Sequence, residues 1–399
     1  MLIKRKKFIQ IGSLATASLM LPEFLKAFEG PARVPAGNKV LVVLQMSGGN
    51  DGLNTIIPYR NDVYFKSRPK LGIARNKALP LTDDAGMHPS LKVFKALYDE
   101  GGLGIINGVG YPNPDRSHFR SMDIWHTASQ SDEYRKNGWL GRYLDAQCQR
   151  CDKPTQILEI DDVLSLSMKG VQGNGIALKD PRRLYGTANE KFFREVLNEH
   201  GHRFHEEPVE YLYKTMAQTL SSADYIFKQS RLHPTQTSYP ATSLGNSFKT
   251  IASLIFSDIQ TKVYYVSLGS FDTHINQQMQ QQRLFTEMND AVKAFTDDLK
   301  KEGRFEDVLL MTFSEFGRRV SQNASGGTDH GTANNMMLLG GGLKQKGFIN
   351  QLSDLSDLQD GDLKLQVDFK SVYATILKNW LNADATAILG RPYPLMKFV

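Results

Sequence analysis

The sequence is poor in cysteine, in long apolar runs and in net charge, and each shortage excludes a class of protein. Only two of its 399 residues are cysteine, which excludes a disulfide-stapled framework. No apolar run reaches the roughly 18–20 residues of a membrane-spanning helix, so we expect no transmembrane segment in the mature chain. The net charge is only +6, and no basic stripe is interleaved with aromatic residues, so we expect no nucleic-acid partner.

The two cysteines form a C-x-x-C pair, Cys148 and Cys151. A four-ligand zinc site at this pair would need two more ligands nearby, and His200, His202 and His205 are about fifty residues away. No strand–helix context of the thioredoxin type surrounds the pair, which argues against a redox centre. The pattern favours a surface thiol pair or a small-loop disulfide.

The first thirty residues have the pattern of an export signal. Four cations at positions 4 to 7 precede an apolar stretch, Phe8–Leu21, that is too short to span a bilayer. The run Arg5-Lys6-Lys7 resembles a twin-arginine signal with lysine in place of the second arginine. We therefore expect residues 1–30 to be a twin-arginine-like signal, cleaved near Ala27, and the mature protein to be periplasmic or extracellular. The alternative is an amphipathic helix or lipid-surface anchor.

Five continuous apolar runs predict strands that are buried on both faces of a parallel sheet. Helical patterns lie between them, the clearest over Leu284–Leu299. We expect a single α/β domain over residues 37–399, with a mainly parallel central sheet flanked by helices on both faces. Residues 150–250 break this rhythm and are interpreted as a helical and loop insertion or lid. The predicted strands are Lys39–Gln45, Leu103–Val109, Lys262–Leu268, Val308–Phe313 and Met336–Leu339.

Polar residues lie just beyond the predicted strands, where open parallel sheets bind ligands. Carboxylates packed together repel one another unless a cation lies between them, and mixed Asp, Glu and His side chains suit zinc, manganese or a related ion. A hydroxyl beside a metal can act as a nucleophile, and Ser117 stands at a predicted helix start, where backbone N–H groups can hold an anion. The set comprises Asp51, Ser117, Asp272, His274, Glu315, Asp329 and His330.

Long stretches of the chain resemble the domain-of-unknown-function family 1501, secreted sulfatase-like proteins related to the alkaline phosphatase superfamily. The resemblance covers almost the whole mature chain. It implies an alkaline-phosphatase-like fold and the transfer or hydrolysis of a phosphate or sulfate ester through a covalent enzyme intermediate. It is carried by SGGNDGLNTIIPY, LGIINGVGYPNPDRSHFRSMDIW, FDTHINQ, VLLMTFSEFGRR, GGTDHGTANNMMLLGGG and DFKSVYATILKNWL.

Carried over residue by residue, the resemblance implies one or two divalent ions, with zinc favoured over manganese, calcium or iron. The superfamily's second metal site has a histidine where this chain has Phe316, which cannot ligate a metal. Asp329, His118 or His88 would have to replace it; a single-metal enzyme, a changed chemistry and an inactive enzyme all remain alternatives. The implied ligands are Asp51, Asp272, His274, Glu315 and His330, with Asp329 beside them.

These residues support the hypothesis of an exported, metal-dependent hydrolase of phosphate or sulfate esters. Ser117 is the candidate nucleophile, and Ser121 and the loop threonines are alternatives. Arg116 and Arg318 are expected to pair with the anionic ester oxygens, as a planar guanidinium does well. His118 and Asn50 complete the expected substrate contacts.

The alternative hypothesis is a non-catalytic secreted protein on the same fold, in which the remnant site binds a glycan, an envelope component or a partner protein. Phe316 favours it, whereas the retained carboxylates and histidines favour the enzyme. The modified-nucleophile pattern C/S-x-P-x-R of sulfatases is absent from the sequence, and no G-x-G-x-x-G follows the first strand, which excludes a Rossmann-type nucleotide site. No oligomeric state is indicated.

Overall fold

A mixed sheet, nine-stranded within the described residues, forms the centre of the protein. The structure is a computed structural model and describes residues 37–147, 154–190, 219, 222–257 and 260–399. The expected export signal at 1–30, the cysteine pair and the histidines at 200, 202 and 205 lie outside this range. Within it, no helix has both the length and the apolar character needed to cross a membrane.

The strands of the central sheet run in the spatial order β7, β6, β8, β1, β9, β10, β5, β11, with β14 also paired to β5. All five predicted strands are present, within two residues of their expected bounds. The strands are β1 (Val40–Met46), β2 (Ile56–Ile57), β3 (Leu79–Pro80), β4 (Gly86–Met87), β5 (Leu103–Gly110), β6 (Ile157–Glu159), β7 (Ile176–Ala177), β8 (Val263–Leu268), β9 (Val308–Phe313), β10 (Asn334–Leu339), β11 (Gly347–Phe348), β12 (Leu358–Gln359), β13 (Asp362–Leu363) and β14 (Val367–Asp368).

Helices cover both faces of this sheet, as expected. The chain is also helical over residues 222–232, and a π-helical turn, Ile376–Trp380, extends the last long helix. The helices are α1 (Gly52–Thr55), α2 (Asp62–Ser67), α3 (Lys92–Glu100), α4 (His118–Thr127), α5 (Trp139–Gln147), α6 (Pro181–Ala188), α7 (Ser243–Phe256), α8 (Gln277–Lys301), α9 (Phe369–Thr375) and α10 (Ala385–Leu389).

The first strand shows why the sheet is buried on both sides. Side chains alternate across a strand, so Val42 and Leu44 face one side and Leu41 and Val43 the other. Val42 and Leu44 join the core cluster formed with α3, α7 and α8. Leu41 and Val43 join the cluster formed with α4, α5, α9 and α10. A continuous apolar run is therefore required here, and it is what made the strand predictable.

The strand β10 runs antiparallel to both of its neighbours, β5 and β9, while the other strand pairs of this sheet are parallel. Residues that precede an antiparallel strand lie at the same edge as residues that follow the parallel ones. The segment Gly326–Gly331 therefore reaches the edge where the loops after β1, β5, β8 and β9 meet. The predicted convergence of these polar loops depends on this reversal, which the sequence pattern did not reveal.

The segment interpreted as an insertion, residues 150–250, contributes two strands to the central sheet. In this segment β6 pairs with β8 and β7 pairs with β6, both in parallel. Ile157, Leu158 and Ile176 are buried in the two core clusters. The described part of the segment is thus continuous with the sheet, and its strands were missed because they are only two or three residues long.

The loop after β1 is held by a buried ion pair between Asp51 and Arg68. One carboxylate oxygen of Asp51 lies 2.5 Å from Nη1 of Arg68, and the side chains are 1% and 0% exposed. Arg68 also donates to the carbonyl oxygens of Val320 and Arg319, and Asp51 accepts from the backbone N–H of Leu53. Because its charge is balanced by a guanidinium, Asp51 is placed differently from the metal ligand that the resemblance implies.

We predict that Arg68→Met lowers the free energy of unfolding by about 3–5 kcal/mol, because it leaves the Asp51 carboxylate buried without a counter-charge. Urea denaturation measures the loss. The matched control is Lys95→Met, which breaks the exposed i,i+4 pair with Asp99 and should cost at most about 0.5 kcal/mol. Equal losses in the two variants would contradict this account of Asp51.

The buried carboxyl of Glu159, at the end of β6, predicts a pH-dependent stability. Burial raises its pKa from 4.5 to about 7, although it accepts a hydrogen bond from the backbone N–H of Ser165. The folded state therefore favours the protonated form, and this contribution, about 3 kcal/mol at most, is complete below pH 4.5 and is lost as the pH rises through 7. Glu159→Gln should flatten the decline in stability between pH 5 and pH 9. An unchanged pH profile in urea denaturation would refute the prediction.

Candidate metal centre

Three histidines and one aspartate meet at the edge of the sheet where the polar loops converge. Asp272 and His274 follow β8, His118 opens α4, and His330 precedes β10. Nε2 of His274 and Nε2 of His330 lie 3.0 and 3.2 Å from one carboxylate oxygen of Asp272. Nε2 of His118 lies 3.5 Å from the other oxygen. The three Nε2 atoms therefore surround one carboxylate.

Each of these histidines has its Nδ1 next to a second oxygen atom, which orients the ring. Carbonyl and carboxylate oxygens only accept hydrogen bonds, so in the neutral ring Nδ1 carries the proton and Nε2 keeps a lone pair. The pairs are His118 with a carboxylate oxygen of Glu315 (2.8 Å), His274 with one of Asp329 (3.3 Å) and His330 with the carbonyl oxygen of Arg116 (2.8 Å).

The resulting arrangement directs unshared electron pairs towards one another. Nε2 of His274 lies 2.9 Å from Nε2 of His330, and Nε2 of His118 is buried without a hydrogen-bond partner. Ligand atoms of His118, Asp272 and His330 lie within 4.8 Å of one another. Only a proton or a cation relieves such a convergence, and imidazole with carboxylate is a donor set that zinc prefers. The residues present therefore fit a divalent cation.

Arg318 supports Asp272 from a buried position, where most of its donors are already used within the protein. Its buried guanidinium donates 2.7 Å to Asp272 and to the carbonyl oxygens of Gly48, Gly49, Phe271 and Thr328. Burial favours the neutral carboxyl of Asp272, but the hydrogen bond from Arg318, the neighbouring ring of His330 and the nearby positive charges lower its pKa to about 2. The expectation that Arg318 binds an anionic ester is corrected: it is a buried structural cation.

Glu315 and Asp329 support the histidines instead of joining the central group. Glu315 is buried and accepts from the backbone N–H of Gly48 as well as pairing with His118. That hydrogen bond is the largest influence on His118 and raises its pKa. Asp329 lies at the outer side of His274, and a hydrogen bond from Asn323 is the largest of the influences that lower its pKa.

Two other residues considered for the site, Asn50 and His88, lie outside the histidine cluster. Asn50 is buried and donates to Thr55, while its backbone N–H donates to Ser314, so the expectation of a substrate contact is corrected to a role in the loop. His88, considered as a replacement ligand, packs against Phe285, and burial lowers its pKa to about 4.

Phe316 occupies the place next to the cluster where the resemblance puts a histidine ligand. Its ring centroid lies 4.9 Å from that of His118 and 4.6 Å from that of His330. A Cβ atom on Gly49 would come within 2.3 Å of the Phe316 ring, so the glycine is required for this packing. Phe316 buttresses two histidines with an apolar surface. His118, expected as a substrate contact, takes part in the cluster; its place at the start of a helix after β5 was the available signal.

The candidate nucleophile and its neighbour lie at the start of α4. Ser117 is exposed, and its hydroxyl makes no capping hydrogen bond. Ser121, the alternative, is buried and donates to the carbonyl oxygen of Glu315. Arg116 forms an ion pair with Asp362, while its carbonyl group holds His330.

An open groove of about 560 Å³ leads away from the cluster along α4. Asp272, His118 and Glu315 line its inner end, and the α4 residues Phe119, Met122, Asp123 and His126 line one wall. A second cavity, of about 390 Å³, lies on the other side of Phe316, with Tyr111, Arg116 and Thr332 in its lining. The cluster is therefore reached from the groove.

Comparison with known structures finds several proteins of low similarity to this chain. A sulfatase from Pseudoalteromonas sp. is 13% identical over 92% of this chain and 70% of its own, with a TM-score of 0.38. A phosphonate monoester hydrolase from Silicibacter pomeroyi is 8% identical over 89% and 77%, with a TM-score of 0.38. A protein in the alkaline phosphatase superfamily from Vibrio parahaemolyticus is 10% identical over 89% and 69%, with a TM-score of 0.35.

No curated protein matches the sequence. A family model described as a protein of unknown function, DUF1501, matches residues 102–396. This range contains the cluster histidines, Asp272 and the groove wall on α4. The chain therefore belongs to the DUF1501 family, as its motifs indicated.

Proposed function

We propose that the protein is a hydrolase of phosphate or sulfate esters that works with one divalent cation, preferably zinc, held by His118, Asp272, His274 and His330. The observation that carries the proposal is the convergence of three Nε2 lone pairs on one carboxylate. In metal sites, ligating histidines commonly donate their other N–H to a carboxylate or carbonyl oxygen, which is the role of the Nδ1 partners here. The N-terminal pattern supports action outside the cytoplasm.

One ion, not two, is expected because side chains take the place of a second. The carboxylate of Asp51, an implied ligand, is neutralised by the buried guanidinium of Arg68. Phe316 packs against the cluster where a further ligand would stand. A second divalent ion beside Arg68 would meet a fixed positive charge. In this proposal, an ion pair and an aromatic ring stand where the resemblance implies a second metal site.

We propose Ser117 as the nucleophile. Its exposed hydroxyl stands at the N-terminus of α4, where free backbone N–H groups and the helix dipole favour an anion such as the ester group. A bound divalent cation would supply Lewis acidity, polarising the ester and lowering the pKa of a nearby hydroxyl. We propose that Arg116, whose side chain is partly exposed beside its partner Asp362, contacts the ester oxygens.

Elemental analysis of protein from the native compartment tests the cation site. Wild type should carry about one zinc or related ion per chain, and Asp272→Ala with His330→Ala should carry almost none, because both changes remove donors from the cluster. The matched control replaces an exposed histidine and aspartate outside the cluster, His233→Ala with Asp354→Ala, and should keep its ion. Two ions per chain would refute the single-site proposal. If wild type contains no metal and divalent ions do not raise its thermal stability, the hydrolase proposal fails and the binding-protein hypothesis is favoured.

Replacement of the proposed nucleophile separates catalysis from metal binding. Ser117→Ala should lower kcat for an aryl phosphate or sulfate at least about 100-fold, since the covalent step is lost, with unchanged metal content. Ser325→Ala, a change of an exposed loop serine, is the control and should keep full activity. Full turnover by Ser117→Ala would assign the attack to another group.

A further inference from the structure

The wall of the groove is one face of α4. His118, Phe119, Met122, Asp123 and His126 are spaced at i, i+1, i+4, i+5 and i+8, which places them along one side of a helix. At a rise of about 1.5 Å per residue, His126 stands about 12 Å along the axis from His118. A ligand that lies along the groove from the cluster would therefore reach His126.

Neighbouring side chains fix the tautomer of His126. Nε2 lies 3.1 Å from the amide oxygen of Gln45 and 3.0 Å from the hydroxyl of Tyr265. The amide oxygen only accepts, and the Tyr265 hydroxyl uses its hydrogen to donate to that same oxygen. Nε2 of His126 must therefore be the N–H donor. Burial lowers the pKa of His126 to about 4, so the ring is neutral at physiological pH.

The other nitrogen of His126 is left for a ligand. Nδ1 then carries a lone pair and makes no hydrogen bond within the described residues, and His126 is one of the residues that line the groove. The carboxylate of Asp123, three residues earlier, also has no partner within the described part of the chain. The groove thus presents two acceptors, and acceptors select ligands that donate hydrogen bonds.

The wall on α4 also carries two apolar side chains, and two serines and a glycine complete the lining. Phe119 is 86% exposed at the rim, and Met122 lies beside it. A large aromatic ring in solvent costs free energy unless a ligand covers it. Hydroxyl donors on a compact carbon framework match both features, because the carbon framework covers Phe119 while the hydroxyl groups donate to Asp123 and His126.

We infer that the groove is a subsite for the leaving group of the substrate, that this group is a hydroxyl-rich molecule such as a short sugar chain, and that Nδ1 of His126 accepts one of its hydroxyl hydrogens. The inference rests on the proposed function and names the substrate class of the same site. His126 is a specificity residue, remote from the reacting ester. Neutral amines and amides also donate hydrogen bonds, but the carbon framework of a sugar adds the contact with Phe119.

Binding of maltose and of fully O-methylated maltose tests the subsite without requiring turnover. Methylation keeps the carbon framework but removes every hydroxyl donor. By calorimetry, wild type should bind maltose about tenfold more tightly than the methylated sugar, the effect of about one hydrogen bond. His126→Phe should reduce that preference and leave only the part due to Asp123, and His126→Asn, whose amide oxygen can replace Nδ1, should restore most of what is lost.

Two controls keep the outcome interpretable. His88→Phe changes another buried neutral histidine, outside the groove, and should keep the preference. Thermal unfolding checks that His126→Phe still folds; should it fail to fold, His126→Asn and Asp123→Asn carry the comparison, and Asp123→Asn should reduce the preference. Equal affinity of wild type for the two sugars, or a preference that is the same in His126→Phe as in wild type, would overturn the inference.

Failure of the proposed function would show differently. Hydrolysis of an aryl phosphate or sulfate by metal-loaded wild type tests the enzyme separately, because the leaving group of such an ester has no hydroxyl donors. Absence of that hydrolysis would refute the enzyme but not the sugar subsite. A sugar preference in wild type that His126→Phe reduces supports the subsite in either case.

Discussion

The buried guanidinium of Arg318 is the constraint on which the site depends. It lies after β9, yet it donates to carbonyl oxygens in the loop after β1, in the loop after β8 and in the loop before β10. These loops are far apart in the chain, and backbone hydrogen bonds such as those from Phe271 to Ser47 and from Thr328 to Thr273 also join them. A rigid fork of donors joins them because the geometry of a guanidinium matches several oxygen atoms at once. Its burial is tolerated because the carbonyl groups and Asp272 satisfy its donors.

The same cation sets the electrostatics of the cluster. Asp272 stays ionised far below neutral pH because Arg318 donates to it, so the carboxylate around which the histidines gather keeps its charge. Arg68 likewise balances the charge of the Asp51 carboxylate through a buried ion pair. Each of these two carboxylates therefore has an internal counter-charge. Within the cluster, Nε2 of His118 is buried without a partner and the Nε2 atoms of His274 and His330 lie 2.9 Å apart, which favours a cation at the histidines.

The sequence allowed the strands and the meeting of the polar loops to be predicted, for a physical reason. Strands buried on both faces must be continuously apolar, as in Val308–Phe313, and the residues beyond their ends are free to be polar. The sequence did not reveal which loop residues form the cluster and which support it. Whether Glu315 meets a cation or a histidine ring depends on a contact across 197 residues. The role of Asp51 likewise depends on its ion pair with Arg68, a residue that no motif marks. The strand β10 carries no sequence pattern that reveals its antiparallel direction.

The helix α4 joins the cluster to the groove. The side of α4 that packs against the core fixes the position of the helix relative to both. Trp125 stacks between Phe313 and Phe369, and its ring N–H donates to the carbonyl oxygen of Glu315. The side chain of Glu315 in turn holds His118 at the opposite end of the helix. Glu315, in the loop after β9, thus contacts the helix at two points, so the spacing between His118 and His126 is set by a rigid element. Because that spacing is rigid, His126 stands at a fixed distance from the metal cluster. The selectivity for a leaving group that we infer for the groove therefore follows from the same packing that builds the cluster.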